Sequence, residues 1–311
     1  MAFQRVRYYQ FRNLQDGTIE IPARQVFLVG DNGQGKSNYQ EGKKRILLDD
    51  TTLSDRRDMV ATTPSVVFRH DDMGFVNGAP EMQRWFVDQT LSMNRPVYID
   101  DLRRYRIILK NRNHAIKNEQ YQLMEIYDEE LAVAGLLIQQ RREEVIAAFN
   151  EVFVEDFQSI SGLDSRLDLV YRPSWRGLTE PTEVVDELVS RREQERNLRT
   201  TTSGPHRDRV LFRYDGRDFL QIASTGQIRL VALILRVAQA RFYHHFSGRD
   251  PVLLLDDVLL ELDPLRRTRF VERLPASEQR IFTFLPGEPY DAYRNDETLV
   301  YSVTDGIVRG T

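Results

Sequence analysis

No cysteine occurs anywhere in the 311 residues, which excludes disulfides and thiolate metal sites and agrees with a reducing compartment. Long apolar runs are absent too, since no stretch approaches the ~18 consecutive apolar residues of a membrane helix. The first residues, Met1-Ala2-Phe3-Gln4-Arg5, lack the apolar core of a signal peptide, so the expected location is cytoplasmic, with no membrane partner. A surplus of positive charge is missing as well. The formal net charge is -4, which argues against an all-over basic nucleic-acid binder and confines any DNA contact to a local patch. There is no internal repeat and no low-complexity tract. What is present is an ordinary soluble composition, 41% hydrophobic and 29% charged, with length for about two domains and a substantial core.

The chain is organised around Gly30-Asp31-Asn32-Gly33-Gln34-Gly35-Lys36-Ser37, which matches the phosphate-cradling pattern G-x-x-x-x-G-K-[ST] at every fixed position. Directly before it, Val26-Phe27-Leu28-Val29 suits a buried strand, the context that the motif requires. Glycines let backbone amides turn in on phosphates, and a helix beginning near Lys36 adds the partial positive charge of its N-terminus. Lys36 would neutralise β- and γ-phosphate charge, the Ser37 hydroxyl would ligate Mg2+, and Asn38 closes the ATP-binding stretch. A glycine-rich turn without a ligand is the plain alternative; the full match behind an apolar strand favours the nucleotide.

The segment before the loop reads as two strands, Phe3 to Phe11 and Gly17 to Val29. Arg5, Arg7 and Arg12 lie along the first, either as a solvated face or as a phosphate or DNA contact. After Ser37 the pattern is odd. A P-loop helix normally carries several apolar turns, yet Asn38-Tyr39-Gln40-Glu41 meets Gly42-Lys43-Lys44 almost at once, and one turn of helix buries little. Either the fold departs from the usual arrangement here, or residues are missing between Tyr39 and Gly42; the second reading is preferred. Val66-Val67-Phe68 then reads as a buried strand, and Glu81 to Met93 as a helix anchored by Trp85, Phe86 and Leu91.

From Tyr98 to about Ile160 the chain is helical. Leu102, Tyr105, Leu109 and Ile116 form one apolar stripe, and Arg103, Arg106, Lys110 and Lys117 a basic stripe beside it. Between Arg95 and Asn118 seven Lys/Arg stand against Asp100 and Asp101, the footprint expected of a DNA contact, although many charged faces are merely solvated. A second helix spans about Gln122 to Phe153 with Leu131, Leu137, Ile138, Val145, Phe149, Val152 and Phe153 as core, and a third Glu183 to Arg199. Gly204-Pro205-His206-Arg207-Asp208 marks a turn. Val210 to Tyr214 leads into a hairpin with Phe219 to Ala223 as the return.

Two further motifs complete a site. Val252-Leu253-Leu254-Leu255-Asp256-Asp257 is an apolar strand ending in two acids, the form of a Walker B element: Asp256 orders the Mg2+ shell and Asp257 accepts a proton from the attacking water. Ser224-Thr225-Gly226-Gln227 precedes a helix, Ile228 to Ala240, with Val231, Leu235 and Ala238 as its apolar face. It resembles the signature motif of ABC-type ATPases, with Thr225 replacing a glycine. In that superfamily Ser224, Gly226 and Gln227 would act in trans on the nucleotide of a partner subunit. Leu260-Glu261-Leu262-Asp263 stands at the D-loop position. Lys36 and Asp256 lie 220 positions apart, room for an inserted lobe, which points to the SMC, Rad50 and RecF branch.

Within that branch the chain resembles the RecF family of bacterial recombination mediators, on Phe11-Arg12-Asn13, the P-loop, Val67-Phe68 with Asp72, Gly78-Ala79-Pro80 with Arg84, Gly204-Pro205-His206-Arg207-Asp208, Leu254-Leu255-Asp256-Asp257-Val258 and Glu261-Leu262-Asp263. The resemblance implies an α/β fold, an ABC-type P-loop ATPase head (Rad50/SMC-like) with an inserted mainly helical lobe: 1–93 and 200–311 as the two parts of the ATPase lobe, 94–199 as helical lobe II. It also implies Mg2+ and ATP as cofactors, an ATP-dependent homodimer, DNA at single-stranded gaps and junctions, RecR and RecO as partners in loading recombinase, and roles in replication and SOS induction. The ATPase is expected to be weak and DNA-stimulated, with Lys36 and Asp257 as its catalytic residues, and slow because Asp257 is one methylene shorter than the glutamate common elsewhere. Thr283 in Ile281-Phe282-Thr283-Phe284 stands where other ABC enzymes carry a switch histidine, and would be a weaker sensor of the γ-phosphate. Two other readings are open. The head of another SMC/Rad50-like ATPase would need hundreds of heptad residues absent here; a transporter nucleotide-binding subunit would need a membrane partner, and the basic insert argues against it.

Overall fold

The computed structural model describes residues 3–8, 16–30, 46–48, 51–53, 55–259 and 262–310. The strands are β1 (Arg5–Tyr8), β2 (Gly17–Glu20), β3 (Gln25–Val29), β4 (Ile46–Leu48), β5 (Thr51–Leu53), β6 (Ser65–Phe68), β7 (Leu167–Arg172), β8 (Arg209–Tyr214), β9 (Arg217–Asp218), β10 (Val252–Asp256), β11 (Gln279–Phe284), β12 (Thr298–Thr304) and β13 (Ile307–Gly310). The helices are α1 (Arg56–Thr62), α2 (Gly74–Asn77), α3 (Pro80–Asn94), α4 (Tyr98–Lys117), α5 (Met124–Ser161), α6 (Pro181–Ser190), α7 (Arg192–Leu198), α8 (Thr225–Ser247) and α9 (Pro264–Arg273).

The chain divides into two compact units, 1–73 with 159–162 and 229–311, and 74–158 with 163–228. The second opens and closes outside the 94–199 read as a lobe from the sequence. Packing accounts for the wider bounds: Phe75 stacks on Trp85 with ring centroids 5.4 Å apart, and the Arg84 guanidinium donates to the Asp208 carbonyl at 2.7 Å.

In the first unit a six-stranded sheet runs β13-β12-β3-β11-β10-β6. All its pairings are parallel except β12 with β13. Strands buried on both faces read as unbroken apolar runs, which is why Val26-Phe27 and Val252-Leu253-Leu254-Leu255 stand out in the sequence. Phe27 meets Phe282 and Phe284 edge-on at 5.4 and 5.0 Å. The single strand read over Gly17 to Val29 is two strands, β2 and β3, separated at Ile21 to Arg24, where Pro22 has no amide to give to a ladder.

The second unit is built on α5, a helix of 38 residues. Of the seven residues read as core from the sequence, Leu131, Ile138, Val145, Phe149 and Phe153 are buried along it, while Leu137 and Val152 are only half-buried at the edge of that face. Gly135 sits in that face because a Cβ there would meet the Trp175 ring at 2.3 Å. Sequence spacing gives one helix over 183–199; the structure has α6 and α7, parted at Arg191. The hairpin return is β9, two residues at Arg217–Asp218, and Phe219–Gln221 is a 3-10 turn capped by Asp218; the aspartate side chain takes the Leu220 amide and ends the strand. Among the described residues no helix is long and apolar enough to cross a membrane.

Candidate functional site

Open parallel sheets offer ligand sites at the carboxyl ends of their strands, and β3, β11 and β10 lie side by side there. Register places Leu28 beside Thr283 and Thr283 beside Asp256. Gly30, the first residue of the P-loop motif, follows β3 and donates its amide to the Phe284 carbonyl at 3.1 Å. A Cβ on Gly30 would lie 2.4 Å from the Val303 carbonyl oxygen, so the close approach of β12 requires glycine. Asp31, Asn32, Gly33, Gln34, Gly35, Lys36, Ser37 and Asn38 lie outside the described residues, as do Leu260 and Glu261.

Asp256 ends β10, and Asp257 turns away from it with φ 51, in the left-handed region. Both acids converge on one side chain that sequence reasoning gave to the ligand. The Thr283 hydroxyl oxygen accepts the Asp257 amide at 2.9 Å and stands 2.8 Å from Asp256 Oδ1 and 3.0 Å from Asp257 Oδ1. The acids are half-buried and Thr283 is buried. A carboxylate and a serine hydroxyl are hard oxygen donors of the kind Mg2+ takes, so Asp256 with Ser37 fits the cation. Among the described residues no group of three or more His, Asp or Glu is placed to hold a metal.

Ser224, Gly226 and Gln227 belong to the second unit and Asp256 and Asp257 to the first. Ser224 is the N-cap of α8: its hydroxyl accepts the Gln227 amide at 3.3 Å, and the Gln227 side chain accepts the Ser224 amide at 2.8 Å. This reciprocal capping box starts the helix at Thr225, three residues before the sequence reading. All four signature residues are exposed, and a Cβ on Gly226 would meet nothing within 4 Å. Asp263, at the D-loop position, caps α9 by accepting the Arg266 amide at 3.0 Å. That hydrogen bond, with Arg266 nearby, lowers its carboxyl pKa.

On α4 the side chains of Arg103, Arg106, Lys110 and Lys117 are exposed, as the basic stripe requires. Arg112, counted with them from the sequence, is fully buried and ion-paired with Asp128 at 2.7 Å and Glu195 at 2.8 Å. It contributes nothing to a surface field, and Arg103 is partly neutralised by Asp100 at 3.1 Å.

The Gly204 to Asp208 turn is held by a buried network in the second unit. Arg142 donates to Asp88 at 2.9 Å, to Asp208 at 2.9 Å and to the Pro205 carbonyl at 2.7 Å, while Tyr171 donates to Asp208. His206 Nε2 lies 3.1 Å from the Thr201 carbonyl and Nδ1 2.7 Å from the Tyr105 hydroxyl. The carbonyl can only accept, so Nε2 carries the hydrogen and Tyr105 donates to Nδ1 in the neutral ring. Burial lowers the imidazole pKa to about 4, with Arg207, Arg84 and Arg112 adding repulsion.

No protein-family model matches the chain. The DNA replication and repair protein RecF of Treponema pallidum (strain Nichols) is 36% identical over 345 residues, covering 95% of this chain and 97% of its own. That span exceeds the 311 residues here, so the relative carries residues that this chain lacks. Among solved structures, the recombination mediator protein RecF with ATP, of the RecFOR pathway, superimposes with a TM-score of 0.86 at 23% identity, over 99% of this chain and 97% of that one. An Smc head bound to the C-terminal winged-helix domain of ScpA gives 0.50 at 13% identity, over 97% and 94%. The fold is thus that of an ABC-type ATPase head carrying a mainly helical segment, and by whole-length identity the chain belongs to the RecF family of DNA replication and repair proteins.

Proposed function

We propose that the chain is an ATP-dependent DNA-binding protein of recombinational repair: a weak, DNA-stimulated ATPase that works mainly as a switch. ATP with Mg2+ closes two copies into a homodimer at single-stranded gaps and junctions, where the dimer helps load recombinase with RecO and RecR; replication and SOS induction depend on the same act. The observation that carries the reading is the placing of Asp256 and Asp257 at the carboxyl end of β10, one strand removed from the strand that runs into the P-loop motif. The relatives' names support repair and replication, and ATP is the ligand of the structural neighbour.

In this reading the P-loop residues Gly30 to Ser37, with Asn38, hold the phosphates, and Lys36 neutralises their charge. Ser37 and Asp256 hold Mg2+, which supplies electrostatic stabilisation of the transferring phosphoryl group. Asp257 takes the proton of the attacking water. Ser224, Gly226 and Gln227, exposed at a helix N-terminus, complete the site of the partner copy. The exposed cations of α4 give DNA phosphates a contact surface. Residues 1–73 and 229–311 form the ATPase lobe, and the shortfall in length belongs to the stretch after Ser37. Sedimentation of the protein with Mg-ATP, with and without gapped DNA, tests the reading: the dimer should appear with ATP and be retained on the gapped DNA, and a monomer under both conditions would refute it.

A further inference from the structure

The Thr283 hydroxyl has one hydrogen and two lone pairs, and the hydrogen and one lone pair face the two acids. One lone pair takes the Asp257 amide at 2.9 Å. Its single hydrogen is within reach of both Asp256 Oδ1 at 2.8 Å and Asp257 Oδ1 at 3.0 Å. The parallel register of β10 with β11 makes Thr283 the direct neighbour of Asp256, and its branched Cβ limits the side-chain torsion, so the oxygen is aimed by the sheet itself. Asp257 follows with a positive φ of 51, a conformation that costs a non-glycine residue energy and persists only where its surroundings hold it. What holds it here is a hydrogen bond at each end, amide and carboxylate, to one and the same hydroxyl.

We propose that Thr283 is the positioning residue of this site: it fixes the left-handed turn at Asp257 and, by sharing one hydrogen between the two carboxylates, sets the direction in which Asp257 meets the attacking water. This rests on the ATPase reading above and assigns Thr283 to the acids, not to the nucleotide. An aspartate reaches one methylene less far than a glutamate, so a base of this length depends on the backbone that carries it. A misplacement of about 1 Å at a reacting group costs on the order of a hundredfold in rate. Serine keeps the hydroxyl; valine keeps the shape and removes it, leaving the Asp257 amide without its acceptor.

The test uses the full chain with Thr283→Val, Thr283→Ser and Asp257→Asn. In nucleotide-free protein, hydrogen exchange at the Asp257 amide should be slow in the parent and in Thr283→Ser and faster in Thr283→Val. With Mg-ATP, Thr283→Val should bind with parental affinity by calorimetry and hydrolyse in single turnover about a hundredfold more slowly. Thr283→Ser should recover most of that rate, and the double variant with Asp257→Asn should be no slower than Asp257→Asn alone. If the valine variant does not fold, Thr283→Ala, which also lacks the hydroxyl, should show the same loss. Asp257→Asn at the parental rate would overturn the reading of the site and the proposal with it. A slow Asp257→Asn beside a Thr283→Val at the parental rate would overturn the proposal alone, as would a valine variant that loses ATP affinity and keeps its rate.

Discussion

Asp72 and Arg236 face each other as a two-point ion pair, Arg236 Nε to Asp72 Oδ2 at 3.0 Å and Nη2 to Oδ1 at 2.8 Å, with both side chains almost wholly buried. Asp72 also accepts the Arg69 amide at 2.9 Å, so one carboxylate shapes the turn after β6 and anchors α8. Removing one partner of such a pair leaves a buried charge uncompensated, at about 3–5 kcal/mol. Asp72→Ala should lower stability by that much in urea unfolding. Adding Arg236→Met should restore part of it, because two apolar groups leave no charge behind; a double variant less stable than Asp72→Ala would show that the arginine stabilises without its partner.

His206 predicts a pH dependence. Its folded pKa of about 4 lies below the ordinary 6.5, so protonation favours the unfolded chain. The stability present above pH 6.5 is lost as pH falls towards 4, by about 2–3 kcal/mol. Tyr105, Asp208 and the arginines around the ring are all kept in a variant that changes the imidazole alone, so the parent should be compared with His206→Gln. The parent's excess loss between pH 7 and pH 4.5 should vanish in the variant; equal losses would show that the imidazole does not carry the effect.

On α4, reversing Arg106, Lys110 and Lys117 to glutamate should weaken DNA binding and flatten its salt dependence. The slope of log K against log salt should fall by about 0.7 to 0.9 for each DNA phosphate that the variant no longer neutralises. Arg112 belongs in no such variant, because its removal would take a buried cation from Glu195 and leave Asp128 with Arg192 alone. An unchanged slope and affinity would mark the face as merely solvated.

Ser224→Arg should block ATP-induced dimerisation in sedimentation while leaving monomer ATP affinity near the parent's. The same change removes the α8 cap, at about 1 kcal/mol. Ser224→Asn, which can still cap, separates the two effects. It should unfold like the parent, and a Ser224→Arg protein that still dimerises with ATP would place completion of the site within one chain.

Much of the sheet was legible because strands buried on both faces leave apolar runs, and α5 because its core residues keep the helical period. The acids of β10 were legible for the same reason. The role of Thr283 was not, since it comes from the register between strands joined across Asp257 to Glu278. Arg112 reads as one more cation of a basic stripe, and only the fold brings it to Asp128 and Glu195, far along the chain. Arg191 and Phe219 carry no strong breaker signal, so the break in the third helix and the early end of the hairpin were hidden.

Gly30 bears on how a nucleotide-blind form of this protein should be made. With the Val303 carbonyl only 2.4 Å from where its Cβ would stand, even alanine at that position forces β12 to shift, and β12 is hydrogen-bonded to both β3 and β13. A Gly30 variant would therefore behave as a misfolding allele whose repair defect says nothing about ATP. On the function proposed above, Lys36→Ala is the cleaner knockout, because a lysine that serves the phosphates acts through its charge, and a strain carrying it would separate loss of the ligand from loss of the protein.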